Sequence, residues 1–89
     1  MKLRAVLGLN VQRLRRERKL SQERLSFDSG RTRAYISSVE TGRRNATLET
    51  LEILAEALKV EPHELITPRA ATERSAGRSN KRSAPDTTD

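Results

Sequence analysis

Two strong helix starts, Ser21 and Thr32, stand on either side of a glycine, Gly30, and this arrangement constrains the chain more than any other feature. A serine or threonine N-cap accepts a hydrogen bond from a backbone N–H early in the helix that follows. Glycine enters the left-handed conformation cheaply, so it ends helices. The stretch QERLSFDSGRTRAYISSVET, residues 22–41, therefore reads as two short helices joined by a glycine turn. Glu23 falls in the first turn of the first, where negative charge is favoured. The second runs from the cap Thr32 to about Thr41, opens on Arg33 and is rich in small polar residues. Its apolar residues Ile36 and Val39 are three apart and face inward, and Gly42 can end it.

Further helices flank this pair. A first helix is expected from about Leu3 to Lys19, because Leu3, Leu7, Val11 and Leu14 fall four, four and three apart on one face. Arg13, Arg16 and Arg18 occupy the other. After a polar loop, Arg43-Arg44-Asn45-Ala46, Thr47 caps a fourth helix with Leu48, Leu51, Leu54, Ala55 and Leu58 on its apolar face. Pro62 suits the first position of a last short turn anchored by Leu65. No segment reads as a strand, and the connections are short. The expected fold is all-α, a compact bundle of about five short helices. The apolar period stops after Ile66, so a domain over residues 1–67 and a disordered basic tail over 68–89 are expected.

Composition narrows the function. The chain has 89 residues, enough for one small domain. With 34% hydrophobic and 2% aromatic residues, its core must be built from Leu, Ile, Val and Ala. The absence of cysteine excludes disulfides and thiolate metal sites. With one histidine and no phosphate-cradling loop, no metal, cofactor or catalytic apparatus is expected, and the chain does not read as an enzyme. No apolar run is long enough to span a membrane, and the N-terminus MKLRAVLGLN lacks a cleavage site. A cytoplasmic location follows as an expectation. Charge is uneven. Residues 1–44 hold 12 Lys and Arg against 4 Asp and Glu, whereas residues 45–67 hold one Lys against 5 Glu. The first half should favour a polyanion and the next segment should repel it.

With these residues in register, the segment from about Leu7 to Leu65 resembles the helix-turn-helix family of phage Cro and repressor proteins, the xenobiotic-response-element (XRE) type. Gln22 opens the motif, Leu25 is a core position, Gly30 is the turn, and Val39-Glu40-Thr41-Gly42 resembles the family's IExG signature. The resemblance implies a lambda-repressor-like DNA-binding domain. Ser29-Gly30 with Arg33-Ala34-Tyr35-Ile36-Ser37 most resembles the small controller proteins of restriction–modification systems. Four positions depart from the pattern: Lys19 replaces a frequent glycine, Ser26 an alanine, Arg31 an apolar residue and Ala46 a proline. Arg31 would add a cation near the DNA.

The resemblance also implies roles. By the family's docking mode the second helix of the motif enters the major groove, exposing Thr32, Arg33, Ala34, Ser37 and Ser38. Arg33 can donate two hydrogen bonds to guanine O6 and N7, or meet only phosphate. Ala34 can touch a thymine methyl, and Ser37 and Ser38 can bond to bases or phosphate. Gln22 is expected at a phosphate and as a brace for the recognition helix, the alternative being a plain cap. Arg43, Arg44 and Asn45 suit phosphate contacts or a solvated charge pair. The Tyr35 hydroxyl can aim at a phosphate, or its ring can cover the core edge. Arg15 is expected to pair with Glu40, with Arg16 or Arg18 as the competing partner.

The expected function is therefore sequence-specific binding of double-stranded DNA to regulate transcription, as a homodimer on a pseudo-palindrome, with RNA polymerase as a further contact. The acidic segment bearing Glu49, Glu52 and Glu56, with Ile53, Val60 and Ile66, is the expected dimer surface. The alternatives are a DNA-binding antitoxin whose tail folds onto a partner protein, and general nucleic-acid binding through the basic tail and first helix.

Overall fold

Local capping chemistry decides where each helix begins and ends. The computed structural model describes residues 2–69, which form α1 (Leu3–Glu17), α2 (Gln22–Ser29), α3 (Arg33–Glu40), α4 (Leu48–Leu58) and α5 (Pro62–Leu65). The hydroxyl of Ser21 accepts from the Arg24 N–H, that of Thr32 from Tyr35 and that of Thr47 from Thr50, so α2, α3 and α4 each start on a side-chain cap. The first four helices end alike, on a left-handed residue: Lys19 at φ 58°, Gly30 at 70°, Gly42 at 77° and Lys59 at 62°. In each case the next N–H reaches back five residues, as Leu20 does to the Arg15 carbonyl. This is the Schellman arrangement, which satisfies carbonyls that a helix end leaves without partners. Lys19 thus lies beyond α1, which stops at Glu17, two residues short of the expected end.

The apolar faces converge on one core. Val11, Leu25, Ile36, Val39, Leu54, Leu58 and Leu65 are fully buried, with Leu7, Leu14 and Ala55 beside them. Each of the buried valine, leucine and isoleucine side chains contributes about 1.5–3 kcal/mol relative to exposure. Two expected face residues do not join them: Leu3 and Leu48 are 58% and 80% exposed. Both stand at the first position of their helix, beyond the reach of the core. They border a shallow apolar groove of about 200 Å³ that Leu51 and Ile66 also line. Val60, expected on an outer surface, instead packs against the core from the Schellman turn of α4.

Two positions in α1 do work that apolar spacing does not reveal. Gly8 is buried, and a Cβ there would lie 2.4 Å from the Val39 carbonyl oxygen and 2.8 Å from that of Glu40. The α1 and α3 backbones therefore touch. Asn10 is 2% exposed, and its amide nitrogen lies 3.2, 2.9 and 2.9 Å from the carbonyl oxygens of Glu64, Leu65 and Thr67. It ties the end of α5, whose carbonyls have no helical partners, to α1. Of the expected tail, all beyond Arg69 lies outside the described residues.

Candidate nucleic-acid interface

The helix α3 is held from behind by a charged clamp. Glu40, at the end of α3, has a side chain only 1% exposed. Its carboxylate accepts from Arg15 Nε at 2.6 Å and Nη2 at 3.1 Å, a two-pronged pairing, and from Gln22 Nε2 at 3.0 Å. Arg15 Nη1 donates in turn to the Leu20 carbonyl at 2.8 Å. One carboxylate thereby joins α1, the start of α2 and α3. Charge-assisted, bidentate bonds of this kind are the stronger ones. The competing arginines lie elsewhere: Arg16 is exposed, and Arg18 sits 3.9 Å from Glu17. Gln22 spends one amide hydrogen on Glu40, so its side chain braces α3, and its second N–H remains for an outside acceptor.

With Ile36, Val39 and Glu40 turned inward, the other side of α3 faces solvent. Arg33 and Ala34 are exposed at its N-terminal end, next to the exposed cap Thr32. Arg33 makes no side-chain hydrogen bond or ion pair among the described residues. Ser37 and Ser38 are half-buried further along. Ser38 Oγ donates to the Tyr35 carbonyl at 2.7 Å, and the Ser37 carbonyl accepts from the Thr41 hydroxyl at 3.1 Å. Tyr35 is half-buried, its ring against the core edge. The Arg44 guanidinium lies 4.8 Å from that ring's centroid, and its Nε donates to Ser38 Oγ at 3.3 Å. Arg44 is therefore folded back over α3 rather than extended into solvent. A cation over an aromatic face is held by about 0.5–1 kcal/mol at an exposed site.

The loop after α3 presents Arg43 outward, again without a side-chain partner among the described residues. Asn45 Oδ1 accepts from Arg4 Nη1 at 3.3 Å, and Arg4 Nε donates to the Gly42 carbonyl at 3.1 Å. Arg4 carried no expected role, although an arginine in a first helical turn, where the helix dipole disfavours it, was a visible signal. Arg31, beside the α3 cap, reaches across to α4, where Nη2 donates to Thr50 Oγ1 at 3.2 Å. The exposed carboxylates Glu49, Glu52 and Glu56 stand on α4, apart from these arginines in sequence and element. Among the described residues, no group of three or more His, Cys, Asp or Glu could hold a metal ion, and no helix is long and apolar enough to cross a membrane.

The geometry is that of a short exposed helix braced on two others, with cations at its start and just beyond its end. Comparison with known proteins agrees. The helix-turn-helix family model matches residues 11–65. An uncharacterized HTH-type transcriptional regulator, y4dJ, of Sinorhizobium fredii is 49% identical over 72 residues, 81% of this chain and 94% of that protein. The control protein C.SmaI of Serratia marcescens is 46% identical over 67 residues, 75% of this chain and 80% of its own. The crystal structure of the restriction-modification controller protein C.AhdI from Aeromonas hydrophila superposes with a TM-score of 0.68 at 44% identity, covering 70% of this chain and 94% of that one. The chain belongs to the helix-turn-helix family of DNA-binding transcriptional regulators, of the XRE type.

Proposed function

We propose that α3 enters the major groove of duplex DNA and reads sequence through Arg33, with Ala34, Ser37 and Ser38 beside it. The observation that carries this reading is the two-sided character of α3. Its inner residues are buried or clamped, while Arg33, exposed and without an internal partner, stands at the N-terminal end that such helices point at base edges. In this reading Thr32, Tyr35, Arg43, Arg44, Asn45 and the second N–H of Gln22 serve the phosphates around the groove. Arg15 and Glu40 hold the helix without touching DNA. No catalytic role is assigned, and the cytoplasm is the compartment the reading implies.

The protein acts as a homodimer on a pseudo-palindromic operator. The exposed Leu3 and Leu48 and the groove they share with Leu51 and Ile66 support this, because a contiguous apolar surface favours burial. Of the expected dimer surface, Ile66 lies on this groove, whereas Val60 is turned to the core. As a regulator, the dimer acts on RNA polymerase by contact or by exclusion, and transcription in vitro from a selected operator separates the two. The similarity to control proteins makes a restriction–modification locus the first place to look for the gene.

Base reading is tested on a duplex selected by the wild-type protein from a randomised library. Arg33→Ala should cost about 1–3 kcal/mol on that duplex and relax preference at one position in each half-site. Arg44→Ala should weaken all sequences alike. Loss of non-specific affinity alone in both variants would remove Arg33 from the role of base reader.

A further inference from the structure

Resting on that DNA-binding reading, we propose that Arg4 is a positioning residue: it latches the loop Gly42–Asn45 in the shape that presents Arg43 and Arg44 to the phosphates. The loop is fixed at its start by backbone bonds, from Gly42 to the Val39 carbonyl and from Arg43 to Ser38. Its far side has no such tie. Asn45 is exposed, and among the described residues its side chain is bonded by Arg4 alone, whose Nη1 donates to Asn45 Oδ1 at 3.3 Å. Arg4 also donates through Nε to the Gly42 carbonyl at 3.1 Å. One guanidinium thus bridges two points three residues apart, with Arg43 and Arg44 between them.

The first turn of α1 is seated closely enough to make this a fixed support. A Cβ on Gly42 would lie 3.4 Å from the Ala5 Cα, in contact with the α1 backbone. Arg4 forms no ion pair with a described carboxylate, so its charge is not committed elsewhere. Its planar fork of donors suits a two-point bridge, which a lysine ammonium on a flexible stem does not reproduce. Without the latch, the loop must be ordered at the moment of binding. That ordering costs affinity although no contact to DNA has been removed.

The test compares Arg4→Ala and Arg4→Lys with the wild-type full-length chain, on the selected duplex and on a scrambled duplex of the same composition. Both variants should bind both duplexes about two- to tenfold more weakly, the cost of ordering one or two side chains. In an Arg43→Ala, Arg44→Ala background the effect of Arg4→Ala should shrink to what Asn45 alone contributes, because the latch then has neither arginine to present. In the free protein, backbone NMR order parameters at Asn45 and Ala46 should fall in both variants while those of α2 and α3 stay unchanged. Wild-type affinity in Arg4→Lys would show that Arg4 acts by charge alone and overturn the latch. An undiminished loss in the Arg43→Ala, Arg44→Ala background, or unchanged order parameters at Asn45 and Ala46, would also overturn it. Failure of the wild-type chain to bind any duplex would instead refute the DNA-binding reading, and the order parameters would still decide whether Arg4 holds the loop.

Discussion

Replacing Gly8 with alanine should destabilise the protein, although helix propensity alone gives the opposite sign. In the middle of an exposed helix, alanine is about 1 kcal/mol more favourable than glycine. Here the new methyl carbon would sit 2.4 Å from the Val39 carbonyl oxygen, 2.8 Å from that of Glu40 and 3.0 Å from the Glu40 carbonyl carbon. All three obstacles are main chain, so no rotamer change relieves them. Restoring ordinary contact requires α1 and α3 to separate by about 1 Å. Overpacking costs about 1–3 kcal/mol, occasionally more. The upper end applies, because the displaced residue Glu40 also carries the buried clamp. After the propensity gain, a net loss of about 2 kcal/mol remains. For a domain of this size each kcal/mol moves the Tm by about 4–8 °C, so a fall of about 8–16 °C is expected. Thermal unfolding followed by circular dichroism measures it, with urea unfolding as a second determination. An unchanged or raised Tm would refute the close approach of α1 and α3, because propensity alone would then account for the result. DNA affinity at a temperature where the variant is folded should also fall, since α3 and the loop after it are displaced relative to α1 and its Arg4.

The remaining expectations are simpler. Glu40→Ala should cost about 3–5 kcal/mol, because it leaves Arg15 buried without its counter-ion. This exceeds what a small domain leads one to expect, since the pair's side chains are only 11% and 1% exposed, and a coupling energy near zero in a double-mutant cycle with Arg15→Ala would show that the apolar contacts alone hold α3. The logarithm of DNA affinity should fall against the logarithm of salt concentration with a slope of roughly −5 to −9, for about 6–10 phosphate contacts per dimer; a flat titration would remove the basic face as the main attachment. A chain ending at Thr67 should keep its helical circular dichroism and its sequence preference, with lower overall affinity from the missing basic residues, and loss of helix signal would make the tail structural.

What could be read in the sequence was what local chemistry decides. Ser21, Thr32 and Thr47 cap their helices because a hydroxyl at that position needs only its own neighbouring backbone. Ile36, Val39, Leu54 and Leu58 were legible as core from spacing alone, and Leu25 from the family resemblance. The residues that escaped take their meaning from a distant partner. Gly8 reads as a weak point in a helix until α3 is laid across it. Asn10 reads as a polar interruption between Leu7 and Val11 until the end of α5 supplies its acceptors. Arg31 and Arg4 read as two more basic residues, yet one turns to Thr50 and the other to Gly42 and Asn45. Charge has no periodicity that says which neighbour it will meet. Leu3 and Leu48 show the converse error, because correct spacing does not guarantee that a partner surface extends to the first turn.

The two faces of α3 have a consequence for how such a protein changes over time. Ile36, Val39 and Glu40 hold the helix, while Arg33, Ala34 and Ser37 contribute no side chain to that hold. On the proposed reading, substitutions at the second set alter the preferred operator at little cost in folding, so specificity is free to drift. Tyr35 and Ser38 belong to neither set cleanly, because Arg44 rests on both. Change there alters the reading surface and its support together. On that reading the variable part of the recognition code is concentrated on one face of a single helix, and a lineage can move to a new operator without rebuilding its core.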